Sequence, residues 1–371
     1  MADAKTLNVN GTNYSIIDQT ARDSATLASN NAEYDRQEFN GIYAGRNLNS
    51  LFSGQSDLYA YLGGLCDSGF GNLRIGDYFT VPVESNNLTA RIAGMDSYLN
   101  AMDTQLTQHH LVCLFDPIAI TDEAWQTTDG QYLYWADTES NQGTADEKHP
   151  YLCSNLHKWE TEWLWPKLPQ ALRNRIIDRR CLLEERYSSS GNVEESTGWS
   201  WANLGKIWSL NEMEVYGAPV WGTKGYSVGE SCQLPIFRQT KDRVKVRVNW
   251  WLRSVMGGSA SNVCYCNNNG NANNNSPRNT WVRPRPGFPF NARPSKREPK
   301  AERKEEGRRD HRPQRRKYAP RAGSRTLLAW PGAPALSPVS WPPRKAAVRA
   351  PLLAARGALH ELRRQARCPQ G

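Results

Sequence analysis

Two thiols stand two residues apart in Cys264-Tyr265-Cys266 and are the first candidates for chemistry. On a strand, positions i and i+2 point to one face, so such a pair could act as a redox couple or hold half of a metal site. A metal site needs more ligands. His109, His110, His149 and His157 all lie more than 100 residues upstream. The plainer expectation is that these and the other cysteines are buried small hydrophobes. His109-His110 opens an apolar run, and no partner carboxylate or thiol is indicated, so a structural role is expected. Gly69-Phe70-Gly71 lacks the strand–loop–helix context of a phosphate loop and reads as a turn. Asp137, Asp146 and Glu147 lack calcium-loop spacing and read as a solvated loop face. No GxSxG, HExxH, Walker or kinase signature is present. The expectation is a protein that is not an enzyme, with no catalytic residue, metal or cofactor.

Binding is the other kind of chemistry, and residues 262–279 stand out for it. Nine of these 18 residues are Asn: 262, 267, 268, 269, 271, 273, 274, 275 and 279. Asn is a poor former of both helix and strand, so local propensity does not explain the run. Asn249-Trp250-Trp251-Leu252-Arg253-Ser254 precedes it and Trp281-Val282-Arg283 follows it. A polar, adaptable stretch between aromatic anchors is what a binding face looks like. The expected surface is Tyr265, Asn267, Asn268, Asn269, Asn271, Asn273, Asn274, Asn275 and Asn279, exposed and clustered on one face. Trp250, Trp251, Arg253 and Trp281 are expected as scaffold under it, with Val263 buried alongside. A prion-like tract is the competing reading; the short length and aromatic flanks argue against it.

The elements that must position this stretch fall into four segments. Residues 1–50 open with Asn10-Gly11 between alternating apolar positions, a strong hairpin signal. Asp18 to Phe39 then reads as a helix with a thin apolar stripe, which fits an assembly segment that needs partners. A frayed N-terminal arm is the bland alternative. Residues 51–120 carry an amphipathic stretch ending at Gly63-Gly64, then a hairpin. One strand alternates Ile75, Asp77, Phe79, Val81 and Val83; the other holds Ala90, Ile92 and Gly94. His110–Phe115 reads as a buried strand.

Residues 121–290 are the dense part, with 11 of the 14 tryptophans between Trp125 and Trp251. Helices are expected at Trp159–Trp165 and Pro169–Arg179, and a capping box at Ser209-Leu210-Asn211-Glu212. The class is α+β, with loops pinned by Trp packing. Residues 291–371 read as a disordered tail, with Ala354–Arg364 the one helical stretch.

Charge supports this division. Formal net charge is +9, but residues 291–371 hold 21 Lys and Arg against 6 Asp and Glu. The other 290 residues hold 25 basic and 31 acidic side chains, a net of −6. The expected folded part is therefore mildly acidic, and nucleic acid is not expected as its partner. Hydrophobic residues make up 39%, enough for a packed core. No run approaches the roughly 18 apolar residues of a membrane span, so membrane insertion is not expected. Met1–Asp18 has no apolar core, so no secretory signal is expected. Eight cysteines are too few and scattered for a disulfide scaffold.

Trp250-Trp251-Leu252-Arg253-Ser254-Val255, Asn262-Val263-Cys264-Tyr265 and the Asn run from 267 to 275 together resemble the variable region of target proteins of diversity-generating retroelements. In such systems an error-prone reverse transcriptase misincorporates at template adenines. Asn codons begin with two adenines, so Asn runs mark positions open to mutation. Leu168–Asn174, Arg186–Gly191, Asn211–Gly217, Gly222–Tyr226 and Gln233–Phe237 resemble the lectin-like part of gut-phage tail proteins. Val9–Tyr14 and Asp18–Arg22 resemble the opening of tail-fibre and baseplate proteins. The likeness spans roughly residues 5–283.

The resemblance implies a C-type-lectin-like (formylglycine-generating-enzyme-like) domain and a phage or prophage tail protein in the virion, assembled in the bacterial cytoplasm. Its partners would be a host-surface receptor, protein or glycan, and other tail or baseplate proteins, and the chain would form a homotrimer. Two alternatives share the fold. A formylglycine-generating-type oxidase would use Cys264 and Cys266. A calcium-dependent sugar lectin would carry a Glu-Pro-Asn or Trp-Asn-Asp motif, and neither is present. Family members close the domain with a short apolar strand after the Val-Arg pair. Here Val282-Arg283 runs into Pro284-Arg285-Pro286-Gly287. Because proline cannot donate to a ladder, the expectation is a lost closing strand and a shifted reading frame near residue 284.

Overall fold

Asn10 and Gly11 adopt the positive φ values, 52° and 83°, of a two-residue hairpin turn. They join β1 (Thr6–Val9) to β2 (Thr12–Ser15), antiparallel. This computed structural model describes residues 6–15, 19–52, 54–100, 106–224 and 233–291, all within the unit of residues 1–300. The expectations for the chain beyond Asn291, disorder and a helix at Ala354–Arg364, lie outside the described residues.

Helix α1 (Gln19–Phe39) follows. Residues 22–30 are all exposed, and Leu27 and Phe39 leave 54% and 90% of their surface in water. Its second half leans on the body. Arg74 pairs with Asp35, and the Arg46 and Arg74 guanidinium groups each sit 5.6 Å from the Tyr34 ring. Helix α2 (Gln55–Asp67) runs past Gly63-Gly64, where it was expected to stop. Two interior glycines cost about 1 kcal/mol each. Burial of Leu58, Tyr59, Leu62 and Cys66 along one face offsets that cost.

The expected hairpin forms as β3 (Tyr78–Val83) and β4 (Asn86–Met95), with Phe79, Val81 and Val83 buried. Strand β5 (His110–Phe115) pairs with β4 and is buried throughout. His110 stacks on Tyr98 with ring centroids 6.1 Å apart, and burial lowers its pKa, which fits the structural role expected of it.

The Trp-rich part begins with α3 (Asn155–Lys158), a π-helical turn (Trp159–Leu164) and α4 (Trp165–Lys167). The expected helix over Pro169–Arg179 is only α5 (Gln170–Arg173). Arg179 instead opens β6 (Arg179–Glu185), where its guanidinium is buried 2.7 Å from Glu214 and 3.7 Å from the Tyr98 ring centre. Strand β6 pairs with β7 (Gly198–Gly205). After β8 (Trp208–Ser209) comes α6 (Glu212–Tyr216). Its capping box is shifted two residues from the expected one: Asn211 is the cap and Glu214 the reciprocal partner. Ser209 is in a strand and its hydroxyl is committed to Glu160 at 2.6 Å. Helix α7 (Thr240–Arg243) leads to β9 (Asn249–Val255), β10 (Val263–Cys266), β11 (Ala272–Asn275), β12 (Val282–Arg283) and β13 (Pro286–Asn291).

The strands form a five-stranded sheet, β3-β4-β5-β13-β8, and a four-stranded sheet, β11-β10-β9-β12, besides the two pairs. The architecture is mixed α+β with several sheets. Among the described residues, no helix is long and apolar enough to cross a membrane.

The closing strand is present, contrary to expectation. Strand β13 pairs with β5 from Gly287 to Asn291 and buries Phe288 and Phe290 completely. Proline is tolerated for a local reason. The carbonyl of Pro289 accepts from Ile177 N–H at 3.3 Å, on the side away from β5. A strand residue's N and C=O point the same way, so the missing N–H of Pro289 removes no bond to β5. Arg285 ties the two sheets together. It donates to the carbonyls of Phe115 and Asp242 at 3.1 and 2.8 Å and lies 4.7 Å from the Trp250 ring centre. Burial lowers its pKa to about 10. The folded chain thus continues past Pro284, and the change of sequence character falls after Asn291.

Candidate ligand-binding surface

The Asn run is the β10–β11 hairpin. Beneath it, β9 is the platform. Trp250, Trp251 and Val263 are fully buried, as expected. Each indole N–H is pinned: Trp250 donates to Arg243 O at 2.9 Å and Trp251 to Leu133 O at 2.7 Å. Arg253 is buried under the sheet and donates to Glu214 at 2.6 Å and to Ser209 O at 2.8 Å. Burial alone would raise the pKa of Glu214, but Arg253 and Arg179, with hydrogen bonds from Tyr98 and Asn211, hold it at about 2. The scaffold is therefore fixed by packing and by a satisfied ionic network.

Two expected roles are exchanged. Tyr265 was assigned to the exposed face, but only 3% of it is exposed. Its ring lies edge-on between Trp251 and Trp281, 6.0 and 5.8 Å away. Trp281 was assigned to the scaffold, but it is 39% exposed. It stands in the bend before β12, and its carbonyl accepts from the Asn249 side chain.

The asparagines lie on the hairpin and, for Asn279, in the turn after it, but they do not share one exposed face. Asn268, Asn269 and Asn271 at the tip are exposed; Asn267, Asn273, Asn274, Asn275 and Asn279 are half-buried. Along β11 the pleat alternates sides. Register pairs Asn273 with Tyr265 and Asn275 with Val263, while Asn274 lies opposite Cys264 on the other side. Gly270 makes the tip possible. Its φ is 83°, and a Cβ there would come within 2.9 Å of Val244.

Residues 262–277 carry no charge. Charged neighbours at the rim are engaged. Arg278 donates to Asp137 O and covers the Tyr134 ring; Asp129 accepts from Thr280 and Glu139 from Ser276.

Cys264 and Cys266 do share one face of a strand, but β10 is buried on both faces, and both thiols are fully buried. Burial, with Glu212 nearby, pushes the Cys264 thiol far up, and burial raises Cys266 to about 11. Thiolates are the reactive form. Neither cysteine is therefore expected to react with a thiol reagent in the native protein at pH 7. Both are expected to react once urea unfolds it, as mass spectrometry of the labelled peptides would show. Native labelling of either would contradict the burial.

Residues 120–288 match the pattern of a family described as a domain of unknown function (DUF6273). No curated protein and no solved structure matches the chain. The DUF6273 match takes in the platform, the hairpin and the first half of β13, so it runs beyond Pro284.

Sequence reasoning missed a second concavity in the DUF6273-like region. A cleft of about 640 Å³, open mouth included, is lined by Pro150, Leu183, Trp199, Met213 and Val255. At its edge Ser200 Oγ lies 2.9 Å from His149 Nε2, and His149 Nδ1 lies 2.5 Å from Glu147. That order resembles a nucleophile, base and acid. However, the Ser200 hydroxyl donates to Glu185 at 2.5 Å, so its proton is not directed at the imidazole. The network links the β6–β7 pair to the 147–149 loop. No spacing signal announces it, because His149 and Ser200 are 51 residues apart.

Proposed function

We propose that the chain is a receptor-binding protein of a phage or prophage tail, with a C-type-lectin-like domain that displays a retroelement-diversified surface. One observation carries this reading. An uncharged Asn-rich hairpin projects from a platform whose tryptophans are completely buried and hydrogen-bonded. Asn268, Asn269 and Asn271 face solvent, where the fold places little demand on residue type. Fixed core positions beside freely variable surface positions are what a diversified binding face requires.

The N-terminal hairpin and α1 are the segment for assembly with other tail or baseplate proteins. Exposed Leu27 and Phe39 support self-association into a homotrimer, which would amplify modest single-site affinity by avidity. The oxidase alternative needs a thiol that meets substrate, and the burial of Cys264 and Cys266 gives it no support.

The test is to sequence the DNA flanking the coding region in several isolates. A template repeat beside a reverse-transcriptase gene is expected, with isolates differing at the codons of the hairpin asparagines and agreeing at Trp250, Trp251 and Val263. Isolates that vary evenly along the chain, with no template repeat, would overturn the proposal.

A further inference from the structure

Buried or not, each backbone N–H in the hairpin seeks an acceptor. Five N–H groups in and just after the hairpin take one from an asparagine side chain of the run itself. Asn273 Oδ1 accepts from Asn274 N–H at 2.9 Å and Asn275 Oδ1 from Ser276 N–H at 2.8 Å. Asn279 Oδ1 accepts from Trp281 N–H at 3.0 Å. Asn267 Oδ1 accepts from Asn269 and Asn271 N–H at 3.0 and 2.9 Å. Only the oxygen end of an amide can accept, so these bonds fix the orientation of all four side chains. The NH2 ends are left over. That of Asn273 is used by the Tyr265 hydroxyl. Those of Asn267, Asn275 and Asn279 have no partner among the described residues, and none is sealed from solvent.

From this we infer that the hairpin surface binds a neutral saccharide. The inference rests on the hairpin being the binding surface. The hairpin and the turn after it offer uncharged N–H donors, and Asn279 is bonded to the backbone of Trp281, whose indole is half-exposed. Saccharide hydroxyl and ring oxygens accept such donors, and the C–H face of a sugar ring covers an indole. Two other ligand classes fit less well. An anionic ligand calls for cations on the surface itself, but residues 262–277 carry no charge. An added peptide strand needs an open edge on β11. There, Asn274 N–H is taken by Asn273, and Ala272 C=O by the Trp221 indole at 3.2 Å.

The experiment uses the full chain on an array of neutral, sialylated and sulfated oligosaccharides. Two variants accompany it. W281A removes the stacking ring from an exposed position. N275D/N279D keeps both oxygen acceptors for the backbone and removes both leftover donors. Binding to a neutral sugar is expected, weakened about tenfold or more in each variant, with unchanged melting temperatures. Unchanged affinity in either variant, or binding to no neutral sugar, overturns the proposal. Bacterial cells separate this failure from failure of the receptor reading. Cell binding that survives periodate oxidation of surface sugars but not protease treatment overturns the saccharide and leaves a protein receptor. Binding to neither cells nor sugars overturns both.

Discussion

Trp251→Ala is expected to cost about 3–5 kcal/mol, the range for deleting a buried aromatic. The ring is fully buried, its N–H is bonded to Leu133 O at 2.7 Å, and it supports Tyr265 edge-on. The combined variant N268S/N269S/N271S is expected to stay within about 1 kcal/mol of the parent, because exposed positions without special contacts are near neutral. These three side chains are exposed and accept none of the backbone bonds that Asn267, Asn273, Asn275 and Asn279 accept. Urea denaturation of both proteins checks the contrast. Equal destabilisation would make the tip a structural element rather than a display surface.

Glu214→Gln has the second large effect. The carboxylate is fully buried and answers two buried cations, Arg179 at 2.7 Å and Arg253 at 2.6 Å. Removing one partner of a buried ionic network leaves uncompensated charge, at about 3–5 kcal/mol. The effect should depend on pH in one direction. The folded-state pKa of Glu214 is about 2, below its ordinary 4.5. A depressed carboxylate contributes stability that is fully present above about 4.5 and is lost as pH falls toward 2. The span is worth about 3 kcal/mol at one unit per 1.36 kcal/mol. The gap between parent and E214Q should therefore be wide at pH 7 and narrow markedly by pH 3. A gap of equal size at both would contradict the charged network.

Where local chemistry was decisive, the fold was legible in the sequence. Asn10-Gly11 announced a hairpin, and the alternation of Phe79, Val81 and Val83 announced β3. The Trp250-Trp251 platform was legible from its apolar run. Errors arose where tertiary partners outvoted local pattern. Arg179 looked helical after Pro169, but Glu214 and Tyr98 draw it into a strand. Ser209 and Glu212 looked like a capping box, but Ser209 is spent on Glu160. Pro284 and Pro286 looked like strand breakers, but β13 begins at Pro286, and Pro289 within it turns its missing donor away from β5. In the site, the Asn run marked the right hairpin. Composition could not say that the pleat would send Asn274 to the side opposite Asn273 and Asn275. It also could not say that Tyr265 and Trp281 would exchange places, since a bend before a two-residue strand leaves no periodic signal.

The central claim is that the hairpin carries ligand binding. Its most direct test is cytometry of the fluorescent full chain on host bacteria, beside the variant N268A/N269A/N271A/W281A. The account predicts that the variant keeps the parent's melting temperature and loses cell binding. A variant that melts with the parent and binds the same cells equally well would contradict it.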